Sequence, residues 1–168
     1  MRTVWRITTA RFATTAFSGE GARLYGGRWN PKGFAMVYAA ESRALALLEM
    51  MVQDAPLRAR YLLIPAQLPD TLSMTHVGLA DLAAGWRQLD RREALQRIGR
   101  DWLERGLSAV LAVPSAVVPA ERNYLLNPAH PDFARIAVGE PEALDTDLRL
   151  MRNPAAGSGD AAGGPAPP

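Results

Sequence analysis

The chain has 168 residues, 48% of them hydrophobic, and a formal net charge of +2. This length and apolar content suit one folded domain with a real core, and they exclude a largely disordered chain. The absence of cysteine excludes disulfides, thiolate nucleophiles and cysteine-ligated zinc. So small a net charge supplies little affinity for nucleic-acid phosphates, so we expect no direct binding of nucleic acid.

The sequence contains no stretch with the length and apolar character of a membrane span. The longest nearly apolar run, residues 44–52, is interrupted by Glu49 and is too short to cross a bilayer. The first ten residues alternate polar and apolar side chains, which is not the pattern of a secretory signal. We therefore expect a cytoplasmic protein that does not associate with membranes.

Composition divides the chain at about residue 152. Residues 1–152 have the mixed polar and apolar pattern of one folded domain, whereas residues 153–168 contain only Pro, Gly, Ala and a few small polar side chains. A segment with so little surface to bury cannot offset its ordering entropy. The sequence therefore predicts a domain at 1–152 and a flexible tail at 153–168.

The first half of the domain predicts two strands, a helix and a third strand. Residues 4–8 and 35–39 are short strand-like runs bounded by turn signals. Residues 41–53 predict a helix with Ser42 as its cap, and apolar side chains on nearly every face predict that it is buried. Residues 61–66 predict another buried strand.

The second half begins with the clearest surface helix, predicted at residues 90–105. Asp90 and Glu93 have the spacing of a capping box, and Gly106 follows the helix as a stop. One face of this helix carries Leu95, Ile98 and Trp102, which we expect to pack on the core.

Two further strands are predicted at residues 109–113 and 133–138. Strands and helices are mixed along the chain without the regular alternation of a doubly wound sheet. The pattern therefore predicts an α+β domain with mixed central strands flanked by helices.

A glycine-rich loop at residues 26–33 is the first candidate for function. Its sequence, Gly-Gly-Arg-Trp-Asn-Pro-Lys-Gly, lets the backbone come close to a ligand, and Arg28 could bind a phosphate through its planar fork. It lacks the spacing of the standard phosphate-binding motifs. A tight turn with Trp29 in the core and Arg28 in water is the structural alternative.

Glu49 is the second candidate, because it interrupts the apolar helix at 41–53. A carboxylate in such a helix lies at the edge of the buried surface or has a partner. One interpretation is an ion pair with an arginine that serves structure alone. The other is a carboxylate at the floor of a cleft, facing developing positive charge.

Three more residues carry side chains suited to a site, and each also has an ordinary structural explanation. Tyr38 ends a predicted strand, Ser115 follows another, and Asn127 precedes a proline in a turn. Ser115 has no nucleophile-elbow motif around it. With two histidines, no cysteine and no H-E-x-x-H motif, we expect no metal site.

Together these motifs resemble the RES domain, a family named for its arginine, glutamate and serine. The resemblance spans roughly residues 2–138 and rests on three segments, 26–33, 37–49 and 112–133, in the family's order and approximate spacing. The positions that the family treats as functional match Arg28, Tyr38, Glu49, Ser115 and Asn127, and Arg6 matches a basic residue in its first strand.

The resemblance implies an ADP-ribosyltransferase-like fold, NAD as the substrate, and a toxin held inactive by an Xre-type antitoxin that covers the cleft. NAD cleavage would then proceed by hydrolysis or phosphorolysis, and no residue marks a site for a phosphate co-substrate. Two alternatives stay open. One is ADP-ribose transfer to a host protein, and the other is a catalytically inactive binding module.

The resemblance also implies roles for the matched residues. Glu49 would stabilise the cationic sugar, with Arg28 and Tyr38 completing the catalytic set. Arg6 and Arg28 would hold the pyrophosphate, since arginine makes bidentate contacts to such groups. Tyr38 would pack on the nicotinamide or ribose. Ser115 and Asn127 would hydrogen-bond the nicotinamide end.

Overall fold

One mixed sheet organises the computed structural model, which describes residues 1–53 and 60–145. The predicted tail at 153–168 lies outside the described residues. The strands are β1 Arg2–Thr9, β2 Val37–Ala40, β3 Tyr61–Leu68, β4 Met74–His76, β5 Val110–Pro114, β6 Arg122–Leu126, β7 Ala137–Val138 and β8 Glu142–Ala143. The α-helices are α1 Glu20–Tyr25, α2 Arg43–Met51 and α3 Arg92–Arg105.

The strands lie in the order β4–β5–β6–β2–β1–β3–β7, and β8 also pairs with β3. The β4–β5 pair is parallel, and the other pairs in the described part of the chain are antiparallel. Because helices and strands do not alternate regularly along the chain, the predicted α+β class is confirmed.

In the centre of the sheet, β1 and β2 are the neighbouring strands with the fewest paired residues. β1 pairs with β3 along all eight of its residues, but it meets β2 at one position, Trp5 opposite Ala40. Just beyond that position the Arg6 side chain crosses to β2, where Nη1 donates to the Tyr38 carbonyl at 2.8 Å. An arginine side chain thus takes the place of ladder hydrogen bonds where the two strands separate.

Both faces of the central strands are covered, which explains the continuous apolar run of β5. Leu111, Val113 and Leu125 pack on one face with Trp29 and with Trp102 of α3. The opposite face has its own cluster, formed by residues that include Val4, Val37, Ala66, Val110, Tyr124 and Leu126. Strands buried on both sides lose the polar alternation of a surface strand.

Helix α2 begins and ends close to the predicted bounds. Ser42 caps it as predicted, its hydroxyl accepting the Leu45 N–H at 3.0 Å. The prediction of a fully buried helix is wrong, since Leu45 and Ala46 are buried whereas Leu48 is 40% exposed. The helix packs on the central strands β1 and β2 and leaves an apolar side chain in solvent.

Two local predictions in the second half are also wrong. The Asp90–Glu93 capping box does not form, because a 3₁₀ turn at Leu89–Arg91 precedes α3 and no side chain caps that helix. The first half of the strand predicted at 133–138 lies in a 3₁₀ helix, Pro131–Arg135, and only Ala137–Val138 of that range form a strand, β7. Its turn is stabilised at the start by the His130 ring, whose Nδ1 accepts the Asp132 N–H at 3.0 Å.

Candidate active site

Two adjoining cavities open beside the β1–β2 join, with volumes of about 480 Å³ and about 170 Å³. The larger has the size of a small-molecule site. Five residues line both cavities, so their side chains stand at the boundary between them. These are Arg6, Tyr38, Glu49, Gln53 and Asn123.

Glu49 lies in the last turn of α2 with its carboxylate at this boundary. Oε1 accepts hydrogen bonds from Ser115 Oγ at 2.7 Å and from Asn123 Nδ2 at 2.5 Å. Within residues 1–53 and 60–145, Glu49 forms no ion pair and Oε2 accepts no hydrogen bond. Two neutral donors therefore fix one oxygen, and the ion pair with an arginine considered from sequence does not form among the described residues.

Ser115 contacts Glu49 on the side away from the cavities. It is completely buried directly after β5 and lines neither cavity. Its oxygen accepts the N–H groups of Val117 and Val118, both at 3.0 Å. With those acceptor positions occupied, the hydroxyl proton is directed at Glu49. The geometry directs the Ser115 hydroxyl at Glu49 and not into either cavity.

Asn123 is a candidate site residue that the sequence did not indicate. It lies on β6 opposite Ala40 and lines both cavities. Asn127, the predicted site residue, lines neither cavity, and its side chain accepts the Ala129 N–H at 3.0 Å in a turn. Four residues along a strand span about 13 Å, so the structure does not bring Asn127 to Glu49.

The glycine-rich loop combines both interpretations drawn from its sequence. Trp29 is buried in the core, as the tight-turn alternative requires. Arg28 is half-buried, lines the larger cavity and donates Nη1 to the Arg87 carbonyl at 3.1 Å. The loop therefore anchors itself through tryptophan and presents arginine to the cavity.

Asn30 fixes this loop from the inside, and it too was missed. The side chain is completely buried, and Nδ2 donates to the carbonyls of Ala22, Pro31 and Phe34 at 2.9–3.1 Å. Its Oδ1 accepts the Tyr38 hydroxyl proton at 2.7 Å. One amide thus ties α1, the loop and β2 together.

The Tyr38 hydroxyl is engaged in the same network, since its oxygen also accepts the Trp29 N–H at 3.0 Å. Burial raises the pKa of this phenol above its usual value, so the proton stays on the oxygen at neutral pH. Gly27 packs directly against it, and a Cβ there would lie 2.3 Å from the hydroxyl oxygen. Tyr38 holds the loop as well as lining the cavity.

Arg6 brings a partly buried cation to the boundary of the cavities. Burial lowers its pKa to about 10, so the guanidinium remains charged at neutral pH. Its Nε is buried without a hydrogen-bond partner among the described groups. The buried positive charge favours an anionic ligand.

The part of the chain that the structure describes has no group of three His, Cys, Asp or Glu side chains that could hold a metal ion. In those same residues, no helix is long and apolar enough to cross a membrane.

Known proteins share this arrangement of strands. The solved Mycobacterium tuberculosis MbcT–MbcA toxin–antitoxin complex contains a chain that superposes with a TM-score of 0.71 at 24% identity, covering 85% of this chain and 84% of that one. The fold is that of an ADP-ribosyltransferase-like α+β domain. The RES domain model matches residues 3–147, and the chain belongs to the RES domain family.

Curated relatives extend the match over most of the chain. The Prs ADP-ribosylating toxin of a Sphingobium species is 40% identical over 88% of this chain and 96% of its own length. The toxin Res of Yersinia enterocolitica is 39% identical over 88% of this chain and 98% of its own. The M. tuberculosis protein MbcT, named an NAD(+) phosphorylase, is 37% identical over 84 residues, which are 46% of this chain and 45% of MbcT.

Proposed function

We propose that this protein is the toxin of a toxin–antitoxin module and that it cleaves the nicotinamide–ribose bond of NAD, with water or phosphate as the acceptor. The observation that carries the proposal is Glu49, whose carboxylate stands at the boundary of two cavities with one oxygen held by Ser115 and Asn123 and the other open.

The chemistry needs a fixed negative charge beside the sugar. Nicotinamide leaves NAD as a neutral molecule, so no acid has to protonate it, and the ribose becomes oxocarbenium-like. A carboxylate held in place before the reaction stabilises that cation without reorganising. The open Oε2 of Glu49 has this role in the proposal, while Ser115 and Asn123 prevent the carboxylate from rotating away.

The cationic side chains suit the rest of NAD. Arg6 and Arg28 line the larger cavity, and guanidinium groups bind phosphate oxygens through two parallel hydrogen bonds. Tyr38 supplies an aromatic wall to both cavities. No role in substrate binding is proposed for Asn127, because its side chain closes a turn outside the cavities.

ADP-ribose transfer to a host protein is the second candidate. It is favoured by the relative named an ADP-ribosylating toxin, which matches over nearly its full length. The relative named an NAD(+) phosphorylase matches over a shorter segment and favours phosphate as acceptor. All three reactions break the same bond and differ only in what attacks the ribose.

Product analysis distinguishes the acceptors. We would incubate the purified protein with adenine-labelled NAD in buffer, in buffer with phosphate, and in buffer with a cell extract. Free ADP-ribose indicates water, ADP-ribose-1″-phosphate indicates phosphate, and label on a protein band indicates transfer. Intact NAD under all three conditions, with no labelled protein, would reject the proposed function and leave an inactive binding module.

We further propose an Xre-type antitoxin that covers the larger cavity. The rim of that cavity carries Leu89, which is 79% exposed, and Tyr25, which is 76% exposed, lies beside the rim residue Gly26. Exposed apolar side chains around a cleft are typical of a protein-binding surface. A solved structural neighbour is likewise a toxin–antitoxin complex.

Two matched variants test this surface. L89D should no longer be captured by the Xre-type protein encoded in the neighbouring reading frame, because the interface would bury an unpaired charge. L107D changes an equally apolar residue, 70% exposed beyond the end of α3, and should be captured normally. Equal capture of both variants would contradict the proposed surface.

A further inference from the structure

Arg92, at the first turn of α3, faces the same cavity as Arg28, although nothing in the sequence marked it. Its Nε donates to the Gly27 carbonyl at 3.0 Å, while Arg28 donates Nη1 to the Arg87 carbonyl. In the described part of the chain, neither side chain makes a further hydrogen bond. Both terminal nitrogens of Arg92 and two nitrogens of Arg28 are therefore available to a ligand.

Charge in the larger cavity is strongly unbalanced. Among its described lining residues are three arginines, Arg6, Arg28 and Arg92, and a single acid, Glu49. None of these arginines is within 4.0 Å of a carboxylate in residues 1–53 and 60–145. Arginines on protein surfaces usually find acidic neighbours, and a concave group without them attracts anions.

Arg92 is held in place before any ligand arrives. The Gly27 carbonyl that it contacts also accepts Gln96 Nε2 at 2.8 Å, so two side chains of α3 fix the same peptide. Burial raises the pKa of Tyr38, and the charges of Arg92 and Arg28 partly oppose that rise. Both cations therefore lie within electrostatic reach of one hydroxyl, on one side of the cavity.

We propose that Arg92 joins Arg28 in an anion subsite for the pyrophosphate of the dinucleotide, an assignment that rests on the proposed function. Two planar forks from different elements suit two linked phosphates. The subsite is assigned to the pyrophosphate and not to a free phosphate co-substrate, because that phosphate would have to attack the sugar beside Glu49. These arginines line only the larger cavity and not the smaller one, so they suit the part of the substrate that extends away from the reacting bond.

The test measures binding of ADP-ribose, which keeps the pyrophosphate but has no nicotinamide to lose. Isothermal titration would compare the full-length protein with R92M, Q96A and R97M. Gln96 shares the Gly27 contact without a charge, and Arg97 is an exposed arginine of the same helix that lines neither cavity. We expect R92M to weaken binding at least about tenfold, the loss of one charged hydrogen-bonding group.

Q96A and R97M should bind ADP-ribose as the unchanged protein does. Unchanged binding by R92M would overturn the subsite. An equal loss in Q96A would also overturn it, because the effect would then come from the loop and not from the charge of Arg92. A higher KM for inorganic phosphate in R92M, with unchanged ADP-ribose binding, would also overturn it. Because the titration needs no turnover, loss of the proposed function would not be mistaken for loss of the subsite.

Discussion

The Ser115 hydroxyl lies 2.7 Å from Oε1 of Glu49, across 66 residues of sequence, and donates its proton to that oxygen. The contact joins the end of β5 to the last turn of α2. A serine and a glutamate that the family resemblance treats as functional are thus one unit, in which the serine orients the carboxylate.

Replacing this serine should reduce both stability and turnover. S115A leaves the partly buried N–H groups of Val117 and Val118 without an acceptor, which costs about 1 kcal/mol or more in the free energy of unfolding. It also frees Glu49 to rotate, so kcat for NAD consumption should fall while KM changes little. Urea denaturation and initial rates measure the two effects.

S108A is the matched control for that loss of stability. Ser108 is equally buried and accepts the Trp102 Nε1–H at 3.0 Å, but it lines neither cavity. Its variant should be destabilised to a similar degree and keep its kcat. If both variants lost kcat in proportion to stability, Ser115 would have no specific effect on Glu49.

A pair of asparagine variants tests the assignment on β6. N123A removes a donor to Glu49 and should lower kcat by about tenfold, the scale of one lost hydrogen bond to a charged group. N127A removes only a turn contact and should cost about 1 kcal/mol of stability with kcat unchanged. A loss of kcat in N127A, with N123A active, would reverse the assignment.

Tyr38 gives the protein a specific dependence of stability on pH. Y38F leaves Asn30 Oδ1 and the Trp29 N–H without a partner, so near neutral pH it should be less stable by about 1–3 kcal/mol. The folded pKa is raised above the usual value of 10.0. Above that pH the unfolded chain loses the Tyr38 proton first, which favours unfolding of the natural protein alone.

The stability advantage of the natural protein over Y38F should therefore be constant up to about pH 10 and shrink above it. Urea denaturation of both proteins between pH 8 and pH 11 measures the difference, and the remaining tyrosines cancel because both chains carry them. An advantage that grew above pH 10 would contradict the raised pKa.

Gly27 is required by close packing. In G27A the new Cβ would lie 2.3 Å from the Tyr38 hydroxyl oxygen and 2.6 Å from Asn30 Oδ1, so the loop must shift. Overpacking of this kind costs about 1–3 kcal/mol, and displacement of Arg28 should raise KM for NAD. G21A lies in α1, and its Cβ meets nothing within 4 Å, so it should keep or slightly raise the melting temperature of the natural protein. Equal melting temperatures for both variants would contradict the packing.

Several elements could be predicted from sequence because their causes are local. The strand patterns of β1, β3 and β5, the Ser42 cap of α2 and the Gly106 stop after α3 each rest on neighbouring residues. The strand predicted at 133–138 failed because Pro131 and the His130 ring favour a 3₁₀ turn.

The candidate site was predictable only in part. Arg6, Arg28, Tyr38 and Glu49 were identified through the family resemblance and do line the cavities. Asn30, Asn123 and Arg92 were missed, because each acquires its role from an element distant in sequence. One local signal could have placed Asn123 on the inner face of β6. It lies two residues before Leu125, and side chains two apart in a strand share a face.

Nicotinamide release by the natural protein and by E49Q tests the central claim most directly. Glutamine keeps the size of the side chain and can still accept the Ser115 hydrogen bond, so folding should be retained. Both proteins are incubated with NAD and phosphate and, in parallel, with NAD and cell extract. We expect the natural protein to release nicotinamide and E49Q to release it about 100- to 1000-fold more slowly. No release by the natural protein in either incubation, or equal release by folded E49Q, would contradict the account.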